Sequence, residues 1–291
     1  MNQSLLATGI NGLVGSKFVD VFENKYSFDK LDIADPKIPV DITNISSVNN
    51  ALENSTAEFL VHYAAYTDVA GAWKQKGDKF GLAYKVNVNG TKNIIKACKN
   101  FGKHLIHIST AYVFNGEKKD LYTEVDQLNP IEWYGQTKAE AETAITNSDI
   151  NWTILRIDQP FRSDNFARPD AVRRIADGLK DDKLYPQFTN HFFGPTFIDD
   201  FALVVDWVIR TKSKGIYNSS SGESWTDFDF ANLIKSTFNF ETEVKKGDLD
   251  EYLKTLDRPY QRNTAMSIDK LKSEIDFELK SIKKAVKLVK L

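Results

Sequence analysis

The chain has 291 residues, 42% apolar and 27% charged, the balance of a soluble globular protein large enough for a substantial core. A formal net charge of -2 gives no basic surface for neutralising phosphates and excludes a general nucleic-acid binder. A single cysteine, Cys98, rules out an internal disulfide, and no run of about 18 apolar residues offers a membrane span.

The first strand begins almost at Met1, leaving no room for a signal peptide, so the expected compartment is the cytoplasm. Ser4 to Thr8 is a short apolar run that reads as a buried strand. It leads into Gly9, Gly12 and Gly15 and then a helix over Ser16 to Asn24, with Phe18, Val19 and Phe22 at helical spacing. Strand, glycine turn and helix form the context a dinucleotide-binding loop requires. Gly9 allows the tight turn, Gly12 lets backbone approach a pyrophosphate, and Gly15 lets the helix pack on the strand. The free N–H groups and positive dipole end of that helix face the anion.

Ser27 to Leu31 reads as a second strand ending at Asp32, 17 residues past Gly15. A carboxylate there accepts from both adenosine ribose hydroxyls and repels a 2′-phosphate, so NAD is favoured. Lys30 and Lys37 keep NADP open. Pro36 and Pro39 mark a loop before Val40 to Thr43, where Asp41 is placed to accept from an adenine amino group or to begin a turn. A helix follows over Ser46 to Leu52, then a third strand over Phe59 to His62. Ala64 and Ala65 are small enough for a cofactor to lie against the backbone. His62 reads as a satisfied strand-end histidine.

Phe80 to Phe101 reads as one long helix stopped by Gly102. Asn87 inside it is either a buried anchor for a neighbouring loop or a solvent-facing residue. His104 to Ser109 is a fourth strand, ending in the hydroxyls of Ser109 and Thr110, where ligands sit in open α/β sheets. Trp133 to Lys138 leads into a helix over Ala139 to Thr146, and Trp152 to Arg156 is a fifth strand. Beyond Arg156 the alternation weakens. Helices are expected over Ala171 to Leu179, Asp199 to Thr211, Phe228 to Phe238 and Ile282 to Leu288, with a basic irregular stretch at Arg258 to Asn263 and a short element at Ser267 to Leu271. The expected fold is α/β, a doubly wound parallel sheet. Residues 1–156 form the dinucleotide-binding domain, and residues 157–291 mainly a substrate lobe with some segments returning to the first domain.

Tyr134 and Lys138, four apart, share a face if both are helical. A nearby ammonium stabilises a phenolate, which brings Tyr134 toward proton exchange near neutral pH. Thr110 supplies a hydroxyl to the same substrate oxygen.

In this order of motifs the chain resembles the extended short-chain dehydrogenase/reductase superfamily, and within it the dTDP-4-dehydrorhamnose reductase family. The matching stretches are TGINGLVG at Thr8 to Gly15, VDIT at Val40 to Thr43, AAYT at Ala64 to Thr67 and VNVNGTKNI at Val86 to Ile94. They continue with STAYVFNG at Ser109 to Gly116, YGQTKAEAE from Tyr134, PTFIDD at Pro195 to Asp200 and RPYQRNTAMSIDKL at Arg258 to Leu271. The resemblance implies a Rossmann fold, NAD(H) or NADP(H), and a nucleotide-sugar carbonyl as substrate. It carries the catalytic hydroxyl to Thr110, the proton donor to Tyr134 and the orienting cation to Lys138. It carries cofactor contacts to Gly9, Asn11, Gly12, Leu13, Val14, Gly15, Asp32, Asp41, Ile42, Ala64, Ala65, Tyr66 and Asn87, besides Tyr134 and Lys138.

One departure stands out. The reductase pattern has Asp directly after the hydroxyl pair, and here that place is Ala111, so a carboxylate beside the reacting carbon is missing. Ala111 and Tyr112 also cannot supply the acid and base of a sugar dehydratase. Substrate contacts are expected at Thr67 and Ala111, with Arg162, Arg168, His191 and Arg258 as candidates for a diphosphate, which guanidinium groups grip bidentately. No residue is assigned to a metal. A homodimer is compatible with the resemblance. The expected function is an NAD(P)-dependent reductase of a 4-keto nucleotide sugar. The alternatives are an epimerase, which consumes no net NADH, and a non-catalytic dinucleotide-sensing subunit, which the Thr110, Tyr134 and Lys138 set argues against.

Overall fold

In a computed structural model describing residues 2–291, the short apolar runs of the first half become β1 (Gln3–Thr8), β2 (Tyr26–Leu31), β3 (Phe59–His62), β4 (His104–Thr110) and β5 (Trp152–Ile157). Later strands are shorter: β6 (Pro160–Phe161), β7 (Gln187–Phe188), β8 (Phe192–Phe193), β9 (Thr196–Phe197), β10 (Gly215–Asn218), β11 (Trp225–Thr226) and β12 (Lys246–Gly247). The main sheet is six-stranded and parallel, in the order β10-β5-β4-β3-β1-β2. The order reverses between β1 and β3, so a crevice opens beyond their carboxyl ends, the place where doubly wound sheets bind ligands.

Successive residues of a strand point to opposite faces, and the core divides accordingly. Leu5, Ala7, Phe59, Val61 and Ile106 pack on one face under helices α1 (Leu13–Phe22) and α8 (Ile198–Thr211). Leu6, Leu60 and Leu105 pack on the other, under α2 (Ile45–Glu53) and α5 (Thr91–Phe101). Burial on both faces explains why β3 and β4 read as continuous apolar runs. No helix among the described residues is long and apolar enough to cross a membrane.

Between β3 and α5 the expected long helix is broken into pieces. A short α3 (Val69–Trp73) precedes α4 (Leu82–Tyr84), which runs into a π-helical turn over Lys85–Gly90 before α5. The wider turn accommodates Asn87, whose buried side chain accepts from Tyr66 N–H at 2.8 Å and donates to Tyr66 O and Thr137 Oγ1. Of the two roles open to Asn87, the structure has the buried anchor. Helix α5 ends at Gly102 with φ 63°. Helix α6 (Trp133–Thr146) starts before Ala139, because Glu132 caps it by accepting from the N–H groups of Tyr134 and Gly135.

The second half contributes to both parts of the molecule. Strand β10 forms the sheet edge beside β5, and α8 lies on α1, where Asp206 accepts from Tyr26 Oη and Lys25 Nζ. The sequence gives β10 no signal, since its four residues are held by pairing with a strand some 60 positions earlier. The other elements, among them α7 (Ala171–Lys180), α9 (Asp227–Phe238) and α12 (Ile282–Val286), enclose a separate core around Phe161, Phe193 and Phe230. The paired strands β6 and β9 follow directly on β5 and lead into α8, joining this lobe to the sheet.

Candidate active site

The glycine turn after β1 is shaped by close approach. Gly9 has φ +60°, and a Cβ there would stand 2.6 Å from the Ala64 backbone at the end of β3. A Cβ on Gly15 would meet Ile10 Cα at 2.8 Å, so this glycine lets α1 pack on the turn. At Gly12 the only neighbour is Gly9 O at 3.2 Å, and Gly12 caps α1 without a side-chain hydrogen bond. The first N–H groups of α1, at Leu13 and Val14, therefore have no side-chain cap. An unblocked helix N-terminus beside a glycine cradle fits a dinucleotide pyrophosphate. Asp32 closes the far side, accepting from Asn11 N–H and Ala34 N–H. Asp41 accepts from Thr43 and fixes the following turn, with Ile42 buried against Gly90. Ala64, Ala65 and Tyr66 line the floor, and Asn87 holds Tyr66 in place.

Beneath the cradle runs a buried hydrogen-bond chain whose direction is fixed by its ends. Thr91 Oγ1 donates to Asn87 O, so it accepts from His62 Nε2–H. His62 Nδ1 is then the acceptor for Thr8 Oγ1–H, and Thr8 Oγ1 accepts from Ala64 N–H. The chain requires a neutral imidazole, and burial, with the Lys138 charge adding to it, pushes His62 down to about 3. His62 is thus a satisfied histidine linking the ends of β1 and β3 to α5.

Thr110, Tyr134 and Lys138 converge at the carboxyl end of β4. Thr110 ends the strand, with its hydroxyl near enough to that of Tyr134 to stabilise the phenolate. One turn further along α6, Lys138 Nζ donates to Ile108 O at 2.8 Å and lies 3.2 Å from His107 Nε2. A Cβ on Gly135 would stand 2.2 Å from Tyr112 O, so this glycine lets α6 press against the turn that follows Thr110. The electrostatics differ from the sequence expectation. Burial and the Glu132 carboxylate raise the Tyr134 hydroxyl well above the ordinary phenol range, and only the Thr110 hydrogen bond lowers it. Lys138 does not lower it, because its ammonium is turned to the β4 backbone; burial brings Lys138 itself down to about 8.

Further polar side chains gather near Tyr134. Glu132 is pushed up to about 7 by burial, against the pull of the Gly135 and Tyr134 N–H groups and of Arg258. Arg258 lies 5.0 Å over the Tyr260 ring, and its Nη1 is buried without a partner. Tyr112 has its ring 5.9 Å from that of Tyr134, and its hydroxyl and that of Tyr260 shift each other's pKa. Asp158, just past β5, is buried, with Oδ2 accepting from Gly194 N–H and Thr264 Oγ1. The spacing of motifs pointed to none of Glu132, Tyr112, Tyr260 or Asp158. Only Glu132 carried a signal, as an acidic residue directly before a helix.

Three expected substrate contacts are corrected. Ala111 is fully buried among Val113, Phe114 and Met266, so its methyl faces the core. Arg162 spends all five N–H groups on Leu13 O, Ser16 Oγ, Asp20 and Asp164, riveting the lobe to α1 instead of reaching for a diphosphate. His191 is buried, with Nδ1 on Asp227 at 2.6 Å and its ring between Phe193 and Tyr260, which makes it a support for Tyr260. Thr67 is exposed at the end of the floor segment. Among the described residues no group of three or more His, Cys, Asp or Glu side chains is arranged to hold a metal ion.

Comparison with known proteins gives a consistent result. The family model for the RmlD substrate binding domain matches residues 2–290. The dTDP-4-dehydrorhamnose reductase of Aggregatibacter actinomycetemcomitans is 30% identical over 240 residues, 78% of this chain and 77% of that one. The crystal structure of dTDP-4-dehydrorhamnose reductase from Bacillus anthracis in complex with NADP superposes with a TM-score of 0.88 at 25% identity, covering 98% of each chain. Methionine adenosyltransferase 2 subunit beta of Bos taurus is 26% identical over 294 residues, 94% of this chain and 82% of that one.

Proposed function

The chain belongs to the RmlD substrate-binding domain family, and on that premise we propose that it is an NAD(P)-dependent reductase of a 4-keto nucleotide sugar, akin to its dTDP-4-dehydrorhamnose reductase relatives. The observation that carries the reading is the placing of Thr110 at the carboxyl end of β4, with Tyr134 and Lys138 one turn apart on α6 and the Lys138 ammonium bound to the β4 backbone, in a sheet whose first strand ends in a glycine turn.

When bound, the nicotinamide supplies a hydride to the carbonyl carbon. Tyr134 gives its phenolic proton to the carbonyl oxygen, so C=O becomes CH–OH. Burial and Glu132 keep Tyr134 protonated at rest, which suits an acid in the direction of reduction. Thr110 fixes the Tyr134 hydroxyl and bonds the same substrate oxygen. Lys138 uses two of its three N–H groups on β4, leaving one for a ribose hydroxyl. The first N–H groups of α1 hold the pyrophosphate, and Asp32 receives the adenosine ribose. Arg258, with an unpartnered N–H in the cleft, takes the substrate diphosphate.

The test is a panel of dTDP-, UDP- and GDP-linked 4-keto sugars with NADH and NADPH, followed by absorbance loss at the nicotinamide band. A reductase gives net loss with at least one member. Sugar interconversion without net loss identifies an epimerase, and NADH binding without turnover identifies a dinucleotide-sensing subunit; either result overturns the proposal.

A further inference from the structure

His107 is a buried histidine of β4 that shares the face of its strand with Leu105, the face on which α5 and α6 pack. Lys138 comes down onto it from α6. Its Nζ meets two acceptors side by side on β4, Ile108 O at 2.8 Å and His107 Nε2 at 3.2 Å. An ammonium has three N–H groups and no acceptor, so Nε2 of His107 offers a lone pair and the ring proton sits on Nδ1. That Nδ1 is buried and meets no partner. The remaining support of the ring is packing. His62, its register partner on β3, lies ring to ring with it at 5.2 Å, and both nitrogens of His62 are already engaged by Thr8 and Thr91. A buried donor without a partner is destabilising, and an aliphatic side chain at this place would avoid it. What a histidine adds is the acceptor for Lys138.

We propose that His107 is a positioning residue for the reaction, fixing the Lys138 ammonium so that its third N–H is aimed at the cofactor ribose. The proposal rests on the reductase reading for the role of Lys138. With Ile108 O as sole acceptor, the lysine tail pivots about one hydrogen bond. A second acceptor fixes Nζ in place, and with it the direction of the third N–H.

The titratable groups around the pair agree with this. His107 and His62 face Lys138 from β4 and β3. Burial, with the Lys138 charge adding to it, pushes both rings down, so neither becomes a second cation beside the ammonium. On α6, Tyr134 stays a neutral phenol. Burial brings Lys138 down to about 8, against the pull of Glu142, which Arg156 of β5 holds bidentately.

The test compares His107→Leu, which removes the acceptor, with His107→Gln, whose amide oxygen can stand where Nε2 stood. His107→Leu is expected to weaken NADH binding and to lower kcat, each about tenfold, the scale of one hydrogen bond, with KM for the sugar nearly unchanged. His107→Gln recovers most of both. Loss of an acceptor disfavours the charged amine, so the alkaline limit of NADH binding moves from near pH 8 in the wild type to about pH 7 in His107→Leu and returns in His107→Gln. One readout needs neither cofactor nor turnover. In wild-type protein carrying 15N-histidine, the His107 resonance, assigned by its disappearance in His107→Gln, is expected to show a neutral ring protonated at Nδ1 between about pH 5 and pH 8. A ring protonated at Nε2, or one that titrates in that range, overturns the proposal. So does His107→Leu with wild-type NADH affinity and alkaline limit, or a loss that His107→Gln does not recover, which would make the ring part of the frame. Should His107→Leu not fold, the tautomer decides. If the wild type reduces no sugar while His107→Leu weakens NADH binding and His107→Gln restores it, the reductase reading falls and this one stands.

Discussion

On the nucleotide side of the sheet, His62 passes hydrogen bonds from Ala64 through Thr8 to Thr91 and Asn87 with both ring nitrogens engaged. On the other side, around the carboxyl ends of β4 and β5, Ser109 Oγ, Trp133 Nε1, Asp158 Oδ1 and Arg258 Nη1 are buried and find no partner. The His62 chain is closed upon itself, with Tyr63 Oη and Asn49 Oδ1 the unpartnered exceptions on its side of the sheet, whereas the group at β4 and β5 is left open. A satisfied network rigidifies the frame, whereas an unsatisfied one costs stability and has groups to offer a substrate. The contrast predicts that changes on the cleft side alter rates and leave the fold intact, and that changes on the nucleotide side alter the fold or cofactor affinity.

The largest effect sharpens the cleft half of this contrast. Tyr134→Phe removes the proposed proton donor but keeps the ring, so kcat falls by about 10³, the middle of the range for general acid catalysis. NADH affinity, read by fluorescence titration, and the melting temperature stay near wild type. Loss of stability in that variant would make Tyr134 part of the frame. On the nucleotide side, Gly9→Val forces a Cβ against the Ala64 backbone at positive φ. It is expected to cost about 3 kcal/mol in urea unfolding and to abolish detectable NADH binding. Arg162→Met removes five hydrogen bonds from a buried guanidinium whose partners Asp20 and Asp164 are partly exposed. With that screening the expected loss is about 2 kcal/mol, accompanied by weaker NADH binding because Leu13 and Ser16 are freed.

The remaining test of the nucleotide side is one of pH. His62 binds a proton near 6.5 in the unfolded chain but only near 3 when folded, so the unfolded state takes up the proton first. Stability from this group is complete above pH 6.5 and is lost progressively as pH falls toward 3. In His62→Gln, which retains an acceptor and a donor, the acid slope of urea stability between pH 4 and 6.5 becomes shallower. An unchanged slope would mean that His62 is not held neutral by the fold.

The parts of the molecule legible in the sequence are those whose cause is local. The strand before Gly9, the glycines and the helix after them lie within a few residues of one another, and so do Tyr134 and Lys138. The parts that were not legible depend on distant partners. Strand β10 exists because Gly215–Asn218 meets Thr153–Arg156. The π-helical turn exists because Asn87 reaches Tyr66 and Thr137. Arg162 looked like a phosphate ligand because its chemistry suits one; only the fold brings Leu13, Ser16 and Asp20 to it from about 145 residues away.

The most direct measurement is to follow deuterium from NADH labelled at the transferring position of the nicotinamide into a 4-keto nucleotide sugar. The account predicts that each NADH oxidised leaves one deuterium on the new carbinol carbon, in wild type and not in Tyr134→Phe. Product formed without deuterium, or without stoichiometric loss of NADH, would contradict it.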